Sequence, residues 1–570
     1  MGVPGRSGHR GETDRPGIGR RTEMRRSVES KSRCTRSTAG GRPPRPGART
    51  ILFGLCVLLP ALARGQVWEV GNLALSAPTD QASAYFGAEA ATGDFNGDGY
   101  LDLAVSAPFY DFDASHQNSG QVHFYLGGPS GLAATPFYTL TGGVAGMRAG
   151  AALAAGNFDS DPADELAISA PGMDVGGQDE AGRVYIYNHG ESLTFVEQGG
   201  TIQGAPEPFD HFGEALAVGD FDNDDFYDLA IGVPGENIED PAPTVLDAGV
   251  VQVLFGSASG LDGTGDQYVT QAVLGGVQAN ARFGRSLAAG DFNEDDTFYD
   301  LAIGVPDRDV AGVANAGQIV IVRGSATGLV ATNHQVIDQT FFGLTQLADD
   351  NFGWSLAAGD FNRTVACWNN ITCKTDLAIG IPFKDVASQA NAGMIVAAYG
   401  SSTGLTAAGA QVLDQGDLSD FASSPEPGDT FGATLASDWY YSARLNGRSG
   451  SGSADHLVVG ANNEDWISVV DAGIVHLVFG GTSGLQSEPG QFRMIEDGLA
   501  AAPQQADARF GSSVAIGDFD GDGHADLALG IVEQDVAGLT DAGAVQVLYG
   551  ALFAGGFERG STATWSSVVP

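Results

Sequence analysis

The chain has 570 residues, 43% of them hydrophobic, with 83 Gly, 24 Pro and a formal net charge of -42. That much apolar material is enough for a packed core, and the glycine excess calls for many tight turns, which favours short strands over helices. Residues 1–65 hold 14 of the 28 Lys and Arg but 4 of the 70 Asp and Glu, leaving 14 basic and 66 acidic residues beyond them; so acidic a surface repels nucleic acid and anionic lipid, and divalent cations are its natural counterions.

In chain order, the first 50 residues are rich in Arg, Gly and Pro without apolar periodicity, and one apolar run follows from Ile51 to Leu62. The run is too short to span a bilayer, and Ala61-Leu62-Ala63 supplies the small residues of a signal-peptide cleavage site, with Gly65 as a second possible cut. Residues 1–65 therefore read as a basic leader and secretory signal, with Met24 or a later residue as a possible start. The exported part then keeps Cys367 and Cys373 of the four cysteines. A close pair in an oxidising compartment points to a local disulfide, because a zinc site would need two further ligands and no His lies nearby in sequence.

The next element, Trp68 to Leu75, reads as a lone strand, and from there the chain is repetitive. Phe-Gly pairs stand at Phe86, Phe212, Phe283, Phe352, Phe431 and Phe510, and Met147-Arg148-Ala149-Gly150 fills the one gap. Their glycines lie 63 to 79 residues apart. A second landmark, an acidic or amide residue, then Ala or Ser, then Gly, also occurs seven times, at Asn118, Glu180, Asp247, Asn315, Asn391, Asp471 and Asp541. Within one unit the strands are expected at Glu214 to Val218, Leu229 to Val233, Gly249 to Phe255 and Gln267 to Leu274. Four short strands per unit make a propeller blade. The fold class is therefore all-β, a seven-bladed β-propeller over residues 66–550. The last unit stops at its third strand, Val545 to Tyr549, so the N-terminal strand is expected to complete it and close the ring.

Between the first and second strands of each unit lies an acidic loop. Calcium takes six to eight oxygens, and a loop with carboxylates or amides at positions 1, 3 and 5, a carbonyl at 7 and a carboxylate at 9 can wrap one ion, with Gly at position 6 permitting the sharp turn. Magnesium retains more water, so calcium is the expected cofactor. The first loop offers Asp94, Asn96, Asp98, the Tyr100 carbonyl and Asp102; the third, Asp220, Asp222, Asp224, the Phe226 carbonyl and Asp228; the seventh, Asp518, Asp520, Asp522, the His524 carbonyl and Asp526. These are the three strong sites. The second loop, Asn157, Asp159, Asp161 and Glu165, carries Pro162 at the turn, and the fourth, Asp291, Asn293, Asp295 and Asp300, holds one extra residue with Thr297 as carbonyl donor, for up to five ions in all. The fifth begins with Asp360 and Asn362 but has Cys367 and Cys373 before Asp376, so a disulfide is expected in place of an ion. The sixth has Trp439 at its first position and no expected metal.

Phe-Gly, the Asp-rich loop, and Gly232-Val233-Pro234 or Ser106-Ala107-Pro108 together resemble the FG-GAP repeat of integrin α-subunit propellers and their bacterial relatives. That resemblance implies a seven-bladed ring whose calcium loops stiffen one face while partners are met on the other, and a secreted or cell-surface protein of bacterial origin. No inserted adhesion domain, leg domain or transmembrane helix is read here, so a heterodimeric receptor is not expected and a monomer is.

Nine His are scattered, and no His-Glu-x-x-His helix, Gly-x-Ser-x-Gly elbow or phosphate loop is present. The expectation is a recognition or adhesion module for an extracellular protein or polysaccharide rather than an enzyme. Loops from Phe109 to Gln117, Pro234 to Leu246, Pro306 to Ala314 and Pro382 to Gln389 are candidates for contact. The alternatives are an extracellular polymer-acting hydrolase or lyase, for which the repeats leave no room, and a passive matrix protein. Residues 551–570 form a short tail that resembles a motif of exported bacterial proteins.

Overall fold

The computed structural model describes residues 72–550 apart from 79–80, 191, 240–243, 294–297, 363–374, 419–423, 438–453, 466–468, 487–490 and 495–504, with 72 and 491–494 described by backbone only. Its strands form seven four-stranded antiparallel sheets, each a blade of consecutive strands except one. The exception joins Phe510–Gly517, Asp526–Ile531 and Ala544–Leu548 to the N-terminal strand Asn72–Leu75. That strand pairs with the last in the register Asn72↔Leu548 to Leu75↔Val545. The two ends of the propeller thus share one sheet, as expected, and Leu75 packs in one core cluster with Val545 and Val547.

First strands of neighbouring blades pack on one another, including Ala90–Gly93 of blade 1 against Phe510–Gly517 of blade 7, so they line the centre of the ring. Second strands are buried along their whole length, as in Asp102–Ala107, Asp228–Val233 and Asp526–Ile531. Near-continuous apolar sequence is what a strand covered on both faces requires. The core sits between blades: one cluster unites Val251 and Val253 of blade 3 with Leu301, Ile303 and Val320 of blade 4. Fourth strands face outward, and four of the five side chains of Ser192–Val196 are exposed.

The two sequence landmarks prove to be halves of one joint. The Phe of each Phe-Gly pair is fully buried, and its N–H donates to the residue before the landmark glycine of the preceding unit, as in Phe212 to Ala181 (2.9 Å) and Phe283 to Ala248 (3.1 Å). Ala149, in the unit that lacks Phe-Gly, makes the same bond to Ser119 at 3.2 Å. The glycine is dictated twice over: Gly249 has φ +79, and a Cβ there would stand 2.4 Å from the Phe283 carbonyl oxygen.

One strand expectation needs correcting. In blade 3 the fourth strand ends at Thr270, and Gln271–Leu274 forms a 3₁₀ turn. Thr270 caps it by accepting the Ala272 N–H, and Gly275 ends it at φ 77. Apolar alternation ran on through a segment whose local capping chemistry stops the strand.

Candidate metal centres

Each acidic loop connects the innermost strand of its blade to the buried second strand, and its ninth position is the first residue of that second strand. Asp102, Asp228, Asp300, Asp376 and Asp526 all occupy this place and are fully buried. Each accepts two backbone N–H groups, one from the loop's second residue and one from the glycine after the third strand. Asp228 takes Phe221 N (2.8 Å) and Gly256 N (2.9 Å); Asp526 takes Phe519 N (2.8 Å) and Gly550 N (2.6 Å). The ninth carboxylate is therefore first a pin between strand ends. It remains able to ligate, since a carboxylate has about four acceptor sites.

The fifth position sets the turn. Asp98 Oδ1 accepts Tyr100 N at 3.0 Å, Asp224 Oδ1 accepts Phe226 N at 3.0 Å, and Asp522 Oδ1 accepts His524 N at 2.8 Å. First-position carboxylates reach over the turn to hold its tip: Asp94 takes the N–H of Asp98 (3.0 Å) and Gly99 (2.9 Å), and Asp518 takes those of Asp522 (3.0 Å) and Gly523 (2.9 Å).

Among the described residues, three groups of three carboxylates each present oxygens within 4.8 Å of one another: Asp220, Asp222 and Asp228; Asp518, Asp520 and Asp526; and Asp159, Asp161 and Glu165. That separation fits oxygens around one ion with bonds of about 2.3–2.6 Å. The first loop has Asn96 at its third position, so Asp94 and Asp102 are the carboxylates of the corresponding trio. The residues fit a cation on a further count, because Asp222 Oδ1 and Glu165 Oε1 are buried without a hydrogen-bond partner. Burial, with the neighbouring carboxylates adding to it, pushes Asp102 and Glu165 up to about 7 and Asp228 and Asp526 up to about 8. A bound cation would relieve that repulsion and supply a counter-charge.

In the fourth loop the third-position amide and the acid that opens the second strand meet directly. The Asn293 amide nitrogen donates to both oxygens of Asp300, at 3.1 and 2.9 Å, and Asp295 and Thr297 lie outside the described residues. In the second loop Asn157 donates to the Asp161 carbonyl at 2.7 Å, so the carboxylates come from its third, fifth and ninth positions. In the fifth, Asn362 rests on Asp376 at 3.2 Å, while Cys367, Cys373 and Trp439 fall outside the described residues.

Sequence reasoning missed the eighth position. Its N–H donates to the carbonyl of the first loop residue in the preceding blade: Asp164 to Asp94 (2.9 Å), Tyr227 to Asn157 (3.0 Å), Tyr299 to Asp220 (3.0 Å), Thr375 to Asp291 (2.9 Å) and Asp455 to Asp360 (2.8 Å). Asp164 also accepts Asp94 N at 2.7 Å, and Asp455 accepts Asp360 N at 2.8 Å. The loops are thus coupled from blade to blade. Its side chain varies among Asp, Tyr and Thr, and the residue after it is an acid in four of these five loops but His456 in the fifth, so the sequence carries little signal for it.

The FG-GAP repeat family matches residues 86–125, 212–254 and 510–548. These are three of the seven blades, and each contains one of the three loops with the full sequence pattern. Integrin alpha-5 of Xenopus laevis is 29% identical over 245 residues, 42% of this chain and 21% of that protein. Integrin alpha-V of Gallus gallus is 40% identical over 113 residues, 19% of this chain and 10% of that protein. Phosphatidylinositol-glycan-specific phospholipase D of Bos taurus is 28% identical over 198 residues, 34% of this chain and 21% of that protein. The matches thus span about a fifth or less of these relatives. Among solved structures, a crystal structure of BBS1N in complex with ARL6DN, soaked with lead, superposes with a TM-score of 0.41 at 11% identity, over 83% of this chain and 96% of that one.

Proposed function

We propose that this chain is a secreted, calcium-binding recognition module, a non-enzymatic propeller that presents its loops to an extracellular protein or polysaccharide. The observation that carries the reading is the convergence of loop carboxylates on shared points, with buried oxygens left unpartnered at Asp222 and Glu165. Calcium would be held by Asp220, Asp222, Asp224, the Phe226 carbonyl and Asp228, and by the corresponding residues around Asp94 and Asp518. The loops around Asn157 and Asp291 are weaker sites. With calcium bound, repelling carboxylates become cross-links, and the linked loops stiffen one side of the ring.

Residues 1–65 act in this reading as the leader that exports the chain, residues 66–550 as the propeller, residues 551–570 as a tail, and Cys367 with Cys373 as a disulfide replacing the fifth ion. The protein works as a monomer of bacterial origin. An integrin subunit and a phospholipase each match part of this chain while their names denote different activities, which supports assigning the shared part to recognition rather than to chemistry. Among the described residues no helix is long and apolar enough to cross a membrane.

The test is binding of the calcium-loaded chain to arrayed extracellular proteins and polysaccharides, repeated in chelator. Calcium-dependent, saturable binding to one class supports the proposal. Turnover of a polysaccharide or phospholipid, or no binding in either condition, counts against it.

A further inference from the structure

At four blade junctions a second position recurs that the acidic loops do not use: the third residue after the second strand meets a glutamine from the end of the preceding blade, and at three of them an acid stands two residues before the Phe-Gly phenylalanine. Between blades 4 and 5 this slot is an ion pair. Lys384 Nζ donates to Asp350 Oδ2 at 2.7 Å, to Gln339 Oε1 at 2.9 Å and to the Thr345 carbonyl, and all three side chains are buried. Between blades 3 and 4 the slot again holds a cation, with Arg308 Nη1 donating to Gln271 Oε1 at 2.8 Å.

Between blades 2 and 3 the same place is taken by Glu236, facing Asp210 and Gln198; between blades 5 and 6 it is taken by Glu464, facing Asp429 and Gln415. All six residues are 3% exposed or less except Glu236, at 5%. Asp210 Oδ2 accepts Glu207 N at 2.5 Å, as Asp429 Oδ2 accepts Glu426 N at 2.6 Å and Asp350 Oδ2 accepts Leu347 N at 2.7 Å, so the acids stand in equivalent positions. Between blades 2 and 3 the cation is what differs, whereas between blades 5 and 6 the Asp429 and Glu464 side chains hydrogen-bond to one another. The two glutamine nitrogens turn onto the glutamates, Gln198 to Glu236 at 2.5 Å and Gln415 to Glu464 at 2.6 Å, and Tyr268 donates to Glu236 at 2.8 Å. The glutamine oxygens that accept from Lys384 or Arg308 in the sister slots are left without a partner in both places, and so is Asp210 Oδ1.

We infer that the slot between blades 2 and 3 binds a divalent cation of the calcium class, in the position that the Lys384 ammonium fills between blades 4 and 5. Two buried carboxylates cannot both stay ionised without a counter-charge. Consistent with that, burial first and the adjacent Glu236 second push Asp210 up to about 8. Two carboxylates, a glutamine oxygen and water provide the hard-oxygen set that calcium accepts, and half a turn of the glutamine amide aims its oxygen inward. This ion would tie blades 2 and 3 together through side chains, independently of the loop sites.

The test is the number of calcium ions retained by the full chain after equilibrium dialysis, in wild type and in Glu236→Lys, which rewrites the slot as the blade 4/5 pair. The expected result is one fewer ion per chain than wild type, with melting in chelator no lower. The isosteric Glu236→Gln serves if the lysine variant folds poorly, and is expected to need at least tenfold more calcium to fill one of its sites. Asp220→Asn with Asp518→Asn, measured alongside, reports on the loops alone, so failure of the loop reading is seen separately. An unchanged ion count and calcium dependence in both slot variants would overturn the inference and leave the slot holding a shared proton.

Discussion

Replacing Asp228 by Ala should destabilise the propeller even when no metal is present, because the ninth-position carboxylate joins two strand ends before it binds anything. The substitution removes the acceptor for Phe221 N (2.8 Å) and Gly256 N (2.9 Å), both at buried positions that water does not readily reach. A buried donor left unsatisfied costs about 1–3 kcal/mol, so the pair is worth about 4 kcal/mol. With an unfolding entropy of roughly 2.1 cal/mol/K per residue over roughly 480 residues, 1 kcal/mol corresponds to about 1 °C, and the midpoint should fall by about 4 °C in chelator. Asp224→Ala loses one bond at an exposed position and should move the midpoint by less than about 1 °C in chelator, while lowering calcium affinity. Asp228→Asn keeps one acceptor and should fall between the two. The assay is scanning calorimetry in chelator and in calcium. If Asp228→Ala melts with wild type in chelator, or if Asp224→Ala falls as far, the pin assigned to the ninth position is wrong.

Three further outcomes follow from the fold. Removing residues before 77 takes the closing strand from Ala544–Leu548 and bares its edge, so light scattering should show self-association and a lower melting point, both restored by a circular permutant that begins in blade 1. Gly249→Ala would drive a Cβ to 2.4 Å from the Phe283 carbonyl and should abolish soluble expression, whereas Gly265→Ala, at φ +80 with nothing within 4 Å, should cost only about 1 kcal/mol. His123 is buried with Nδ1 on Thr139 Oγ1 at 3.1 Å, and burial lowers its pKa to about 4. Its neutral form therefore contributes stability above about 6.5 that is lost as pH falls from there toward 4, by about 3 kcal/mol in all. His123→Gln should flatten that part of the stability profile in urea titrations, and an unchanged slope would count against the assignment.

The blade count and the acidic loops were legible because both are periodic and local: six Phe-Gly pairs, one Ala-Gly in the remaining place and seven landmark glycines announce the repeat, and acidic or amide residues at alternate positions announce the turn. That the two landmarks touch was not legible, since Gly249 and Phe283 meet across a blade junction. The same holds for the eighth-position bonds, which run through backbone groups that carry no residue preference, and for the inter-blade slots, where Lys384 and Glu236 occupy one structural place with opposite charge. The Gln271–Leu274 turn was hidden by apolar alternation that suits a strand as well as a turn. Asn293 stands at a ligand position by spacing, and that its amide meets Asp300 was not legible. What sequence does not contain is which neighbour a blade presents to each of these groups.

The most direct measurement is thermal unfolding of the full chain in calcium and in chelator, with bound calcium counted on the same samples and with Asp94→Asn, Asp220→Asn, Asp518→Asn as the comparison. A calcium-dependent rise in midpoint with at least three ions per chain, three of which the triple variant loses together with most of the rise, is the predicted result. A chain that binds no calcium and melts at one temperature in both conditions would contradict the metal loops while leaving the seven blades standing.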